Sequence, residues 1–149
     1  MRNIRQLSLI DSYRGWFALL LLLTSTLTWA EKPLAPDTIP GILTVDAEQT
    51  IELVLNNPDL IVVDARLPEE FLKGHIEGAV SLVDSAVNEK TLGQILKSKT
   101  TPALFYCNGP RCLRSSRAAK KALSSGYTNL YWFRDGWAGW IEKELPVAH

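Results

Sequence analysis

The residues best able to do chemistry in this chain lie between Cys107 and Arg114, where both of its cysteines sit with Arg111 and Arg114. From Leu104 to Ala119 the sequence reads L-F-Y-C-N-G-P-R-C-L-R-S-S-R-A-A. A short apolar run stops at Cys107. A loop containing Gly109 and Pro110 follows, and a helical pattern begins near Ser115 and Ser116. Apolar run, loop and amphipathic pattern predict strand, loop and helix in that order. A thiol at such a strand end faces the unpaired N–H groups and positive pole of the helix, which favour negative charge. It therefore ionises more readily than a free thiol, whose pKa is ~8.5. The two arginines act in the same direction, and Gly109 and Pro110 supply turn chemistry that lets the loop bend around the sulfur. The chemistry indicated is that of a cysteine thiolate handling an anion. The competing reading is a small buried hydrophobe. A cationic loop after Cys107, in place of more core, favours the nucleophile.

The elements that must position this loop alternate between strands and helices. Gly41 to Val45 reads as a strand, and Asp46 as the N-cap of a helix with Ala47, Ile51, Leu53, Val54 and Leu55 on its apolar side. Asn56-Asn57-Pro58 stops that helix. Leu60 to Val63 is a continuous apolar run suited to a strand buried on both faces. Pro68 to Phe71 makes a helical turn, Ala79 to Val83 a strand and Lys90 to Lys97 a helix. Ala103 to Tyr106 leads into Cys107. Ser115 to Ser124 is a helix closed by Gly126, Asn129 to Phe133 the last strand, and Gly136 to Leu145 a closing helix. Alternation of this kind predicts an α/β fold, a mostly parallel sheet with helices on both faces. Sites in such sheets form at the carboxyl ends of strands, where Asp64, Cys107 and Asp135 fall.

Sixteen basic and sixteen acidic residues leave the 149-residue chain formally neutral, which argues against a nucleic-acid partner. The first thirty residues differ in kind. Arg2, Arg5 and Arg14 precede an apolar run from Trp16, and small residues lead to Ala30 before Glu31. This pattern predicts a signal peptide over 1–30, cleaved after Ala30. An uncleaved membrane anchor is the alternative, for which the run is short. Residues 31–40, with three prolines and no periodicity, are expected as a linker, and 41–149 as one domain. Cleavage implies a periplasmic or secreted protein with no stable membrane contact. Its cysteines would then meet an oxidising compartment.

Three blocks of this sequence resemble the single-domain rhodaneses, a sulfurtransferase family. Ile61 to Val80, I-V-V-D-A-R-L-P-E-E-F-L-K-G-H-I-E-G-A-V, is similar to the family's opening motif. The Cys107 loop with Arg114-Ser115 and Ala118-Ala119 is the second block, and F-R-D-G-W-A-G-W-I-E-K-E-L-P-V the third. The resemblance implies a five-stranded, mostly parallel sheet and a thiol held in a cradle of loop amides. It implies that Cys107 takes sulfur from a small anionic donor such as thiosulfate and passes it, through a persulfide, to a thiol or cyanide. Asn108, Gly109, Pro110, Arg111, Arg114 and Ser115 would bind the donor. Asp64, Arg66 and His75 would be structural. No metal or cofactor is implied.

From Cys107 to Arg114 the loop is two residues longer than the family's pattern, and Cys112 lies inside it. An alignment starting from Cys112 has the usual length, but Cys112 ends no strand and that stretch has no glycine. A loop with Gly109 and Pro110 can bring Cys112 back within disulfide reach of Cys107, which makes Cys112 a candidate resolving thiol with a redox protein as partner. Two other readings stand beside the enzyme: a non-catalytic rhodanese-like binding module, and a thiol–disulfide protein using the cysteine pair. Glu69 and Glu70 are expected to be solvated, and Trp132, Trp137 and Trp140 to be packing residues.

Overall fold

The computed structural model describes residues 33–149. The predicted signal peptide lies outside the described residues. In chain order the elements are β1 (Leu43–Val45), α1 (Ala47–Asn56), β2 (Ile61–Asp64), α2 (Pro68–Phe71), β3 (His75–Ile76) and β4 (Val80–Ser81). They continue with α3 (Glu89–Ile95), β5 (Ala103–Tyr106), α4 (Arg114–Ser124), β6 (Leu130–Phe133), α5 (Gly136–Glu142) and β7 (Val147–Ala148). Asp46 caps α1 as expected: its carboxylate accepts from the Gln49 N–H at 2.8 Å, and the Gln49 side chain accepts from the Asp46 N–H at 3.1 Å.

Five strands form one sheet in the order β1-β6-β5-β2-β4. All four neighbouring pairs are parallel, so the fold is the predicted α/β architecture. The central strands carry apolar residues on both sides, as the sequence requires. On β5, Ala103 and Phe105 enter one core with Ala118, Ala119 and Ala122 of α4 and Leu92 of α3. Leu104 and Tyr106 enter a second core with Ala47 and Ile51 of α1 and Trp140 of α5. Each large side chain removed from water here contributes roughly 1.5–3 kcal/mol. Leu55, placed by periodicity on the apolar side of α1, is instead exposed near the helix end.

Two features depart from the expectation. His75 and Ile76 pair antiparallel with Ala148 and Val147, a small second sheet joining the middle of the chain to its end. Residues 33–40 are also more than a linker. Ala35 and Ile39 are buried in the same core as Ile42. The Arg134 guanidinium donates to the carbonyls of Pro36 at 2.9 Å and Ala35 at 3.1 Å. Prolines remove helical periodicity without preventing burial, so this strap belongs to the domain.

Candidate active site

The sheet order puts β5 at the centre, so the residue after Tyr106 emerges at the carboxyl edge between β2 and β6. That residue is Cys107, with only 1 % of its surface exposed. Its carbonyl accepts from the Trp137 N–H at 2.7 Å, and the Asn108 carbonyl accepts from the Ala138 N–H at 3.0 Å. The first turn of α5 thus clamps the start of the loop. Gly136 makes the clamp possible. Its φ is +55°, and a Cβ there would collide with the Cys107 carbonyl oxygen. Gly136→Ala is therefore expected to cost at least ~1–2 kcal/mol for the left-handed backbone alone, with the collision adding to it. A fall in the urea midpoint measures this; an unchanged midpoint would show that the clamp gives way freely.

Beyond the clamp the loop turns back. The Cys112 N–H donates to the Gly109 carbonyl at 2.8 Å, closing a turn with Pro110 at its second position, where proline's fixed φ suits it. The strap reaches this turn as well, since the Ala35 N–H donates to the Pro110 carbonyl at 2.7 Å. The turn brings the two cysteines together: Cys107 and Cys112 are joined by a disulfide, with Cα atoms 6.2 Å apart. Cys112 is partly exposed and Cys107 lies beneath it.

A cleft of about 720 Å³ opens over the loop. Asn108, Gly109, Pro110, Arg111 and Arg114 line it, which brings together five of the six residues expected to bind a donor. Ser115 is the exception. Its side chain is buried and its hydroxyl accepts from the Trp132 indole N–H at 3.0 Å, so it faces the core rather than the cleft. Pro33 and Leu34 of the strap form one wall, and Arg117 adds a third guanidinium, paired with Asp84 at 2.7 Å. Arg111 has no ion-pair partner among the described residues.

Glu70, expected to be solvated, is tied into the loop. Its carboxylate accepts from the Asn108 amide at 2.6 Å, the Arg114 guanidinium at 2.9 Å and the Leu67 N–H at 2.9 Å. Partial burial alone would raise the Glu70 pKa, but these bonds outweigh it and hold the carboxyl below its ordinary 4.5. A depressed carboxyl stabilises the fold fully above the unfolded value and loses that contribution as pH falls through the folded value. Glu70→Gln is thus expected to be less stable than wild type by about 1 kcal/mol at neutral pH. In acid below the folded value the gap closes; a gap that persists there would mean the carboxylate charge is not the cause.

Of the three residues expected to be structural, Asp64 and Arg66 are buried beside the loop and His75 is half-buried. Asp64 accepts from the Arg66 side chain at 2.6–3.0 Å and from the Tyr106 hydroxyl at 2.5 Å. Burial, then the Asp64 charge, pushes the Tyr106 phenol far up, so it stays a donor. Arg66 also donates to the Gly74 carbonyl at 2.7 Å and lies 4.5 Å from the Trp137 ring centroid. His75 stacks on Phe71 with ring centroids 3.7 Å apart and its Nδ1 lies 3.1 Å from the Phe71 carbonyl, away from the cleft lining.

Comparison with known proteins agrees with the fold. The chain is 32 % identical over 96 residues to the uncharacterized protein YibN of Escherichia coli K12, covering 64 % of this chain and 65 % of that one. It therefore spans a little under two thirds of that relative. In three dimensions it is similar to BH2092 protein from Bacillus halodurans, with TM-score 0.63 and 23 % identity over 93 % of this chain and 84 % of that one. It is also similar to thiosulfate sulfurtransferase from Pseudomonas aeruginosa, with TM-score 0.58 and 20 % identity over 72 % of this chain and 20 % of that one. These two likenesses speak for the fold. The rhodanese-like domain model matches residues 46–143, from the cap of α1 to the end of α5, and the chain belongs to the rhodanese-like domain family.

Proposed function

We propose that the protein is an exported sulfurtransferase in which Cys107, once reduced, takes sulfane sulfur from a small anionic donor such as thiosulfate. The thiolate attacks the outer sulfur, the donor's sulfur–sulfur bond breaks, and sulfite leaves with the bonding electrons. The persulfide on Cys107 then gives its outer sulfur to a thiol or cyanide, regenerating the thiolate. The observation that carries this reading is the position of Cys107, at the carboxyl end of the central strand and under a cleft walled by Arg111, Arg114 and Arg117. Arg111, without a charged partner among the described residues, is the natural first contact for an anion. Arg114 already shares its charge with Glu70, so its part is to hold the loop as well as to attract the donor.

The test is to reduce the protein, incubate it with thiosulfate and read the intact mass. A gain of one sulfur atom with release of sulfite supports the enzyme. Sulfite release without a lasting gain in mass also supports it, whereas a reduced protein that gains no sulfur and releases no sulfite is the non-catalytic module instead. Export rests on the basic-then-apolar pattern of residues 1–30. N-terminal sequencing from a secreting host should begin at Glu31; Met1 retained on membrane-bound protein would favour the anchor.

A further inference from the structure

We propose that Cys112 resolves the Cys107 persulfide by expelling its outer sulfur as hydrosulfide, so that the protein also releases reduced sulfur with no external acceptor. The inference rests on the sulfurtransferase reading for how the persulfide is made, and on the disulfide for what happens next. The Gly109–Cys112 turn delivers Cys112 to bonding distance of the Cys107 sulfur. A second thiol so placed attacks the inner sulfur of a persulfide. The Cys112 thiolate forms a bond to the Cys107 sulfur, and the bond from that sulfur to the outer sulfur breaks. The outer sulfur departs with the electron pair and the persulfide proton as hydrosulfide. It gains two electrons, and the two cysteines, now a disulfide, lose two. No further oxidant enters, and the product is the state seen in the structure.

Burial gives the return step its direction. Cys107 is 1 % exposed, whereas Cys112 is partly exposed and lines the cleft. An incoming reductant therefore meets the Cys112 sulfur. Attack there expels Cys107 as the leaving thiolate. A dithiol completes the cycle: its second thiol breaks the mixed disulfide and frees Cys112. The partner is thus a dithiol reductant, oxidised once per hydrosulfide released.

The experiment compares reduced wild type with Cys112→Ser and Cys112→Ala, each loaded with sulfane sulfur, desalted and left without acceptor. Wild type is expected to release about one hydrosulfide per chain and to end with both thiols closed to alkylation. The variants should hold the extra sulfur atom and release none. A wild-type persulfide as long-lived as that of both variants would overturn the proposal. Loading is done with thiosulfate and, separately, with inorganic polysulfide, which transfers sulfur to any accessible thiolate. Failure of thiosulfate alone removes the donor reading and leaves the Cys112 step tested by polysulfide. Opening the oxidised protein with a bulky monothiol should place the mixed disulfide on Cys112 by peptide mapping; finding it on Cys107 would overturn the order of reduction.

Discussion

Cys107→Ser is expected to fold and to transfer no sulfur, a loss of about 10⁴-fold or more, as on removal of a covalent nucleophile. The swap keeps the shape of a side chain that is 1 % exposed. It leaves the Cys107 carbonyl free to accept the Trp137 N–H, so the clamp on the loop survives. What changes is the chemistry. A hydroxyl at neutral pH is almost never ionised, and oxygen forms no persulfide. The comparison is made with reduced wild type, because the disulfide closes a loop between residues five apart and its loss removes ~2 kcal/mol of constraint on the unfolded chain. Rate and fold are read by sulfite release and circular dichroism. Turnover retained in Cys107→Ser would transfer the nucleophile to Cys112, and with it the shorter alignment of the loop.

The second large effect is on stability. Asp64→Ala is expected to destabilise the domain by roughly 3–5 kcal/mol, the cost of leaving a buried charge without its partner. Arg66 is 2 % exposed, and its guanidinium would keep only the Gly74 carbonyl and the Trp137 and Tyr106 rings. The Tyr106 hydroxyl would lose its acceptor in the same core. The damage should spread to the site, because Trp137, which packs on Arg66, also carries the N–H that holds the Cys107 carbonyl. Asp64→Asn, keeping shape and one acceptor oxygen, should fall between the two. Urea midpoints measure the series. An Asp64→Ala midpoint within ~0.5 kcal/mol of wild type would mean that water reaches Arg66 and satisfies it.

The fate of the predicted site shows where reading a chain stops being local. Strand, loop and helix around Cys107 were legible because each depends on neighbours in sequence: apolar content before Cys107, turn residues after it, a 3.6-residue period beyond. The same holds for the Asp46 cap, whose two bonds span three residues. Even the turn that returns Cys112 to Cys107 is written in Gly109-Pro110.

Other features depend on residues far apart in the chain. Glu70 looked like a solvated residue of a short turn, yet it meets Arg114 across 44 positions because β2 and β5 are neighbours and end together. Ser115 sits beside the site in sequence, but the rotation of α4 on the sheet turns its hydroxyl to Trp132. The strap at 33–40 has linker composition, and only the groove beside Arg134 and the Pro110 turn gives it a place. Gly136 reads as an ordinary helix start until the Cys107 carbonyl lies against it. The sequence by itself determined the candidate nucleophile's place at a strand end, its loop and the α/β order, since these follow from propensity and periodicity along the chain. The tertiary structure alone decided which charges meet, which hydroxyl turns inward and what walls the cleft, because those contacts exist only once the strand order has brought distant residues to one edge of the sheet.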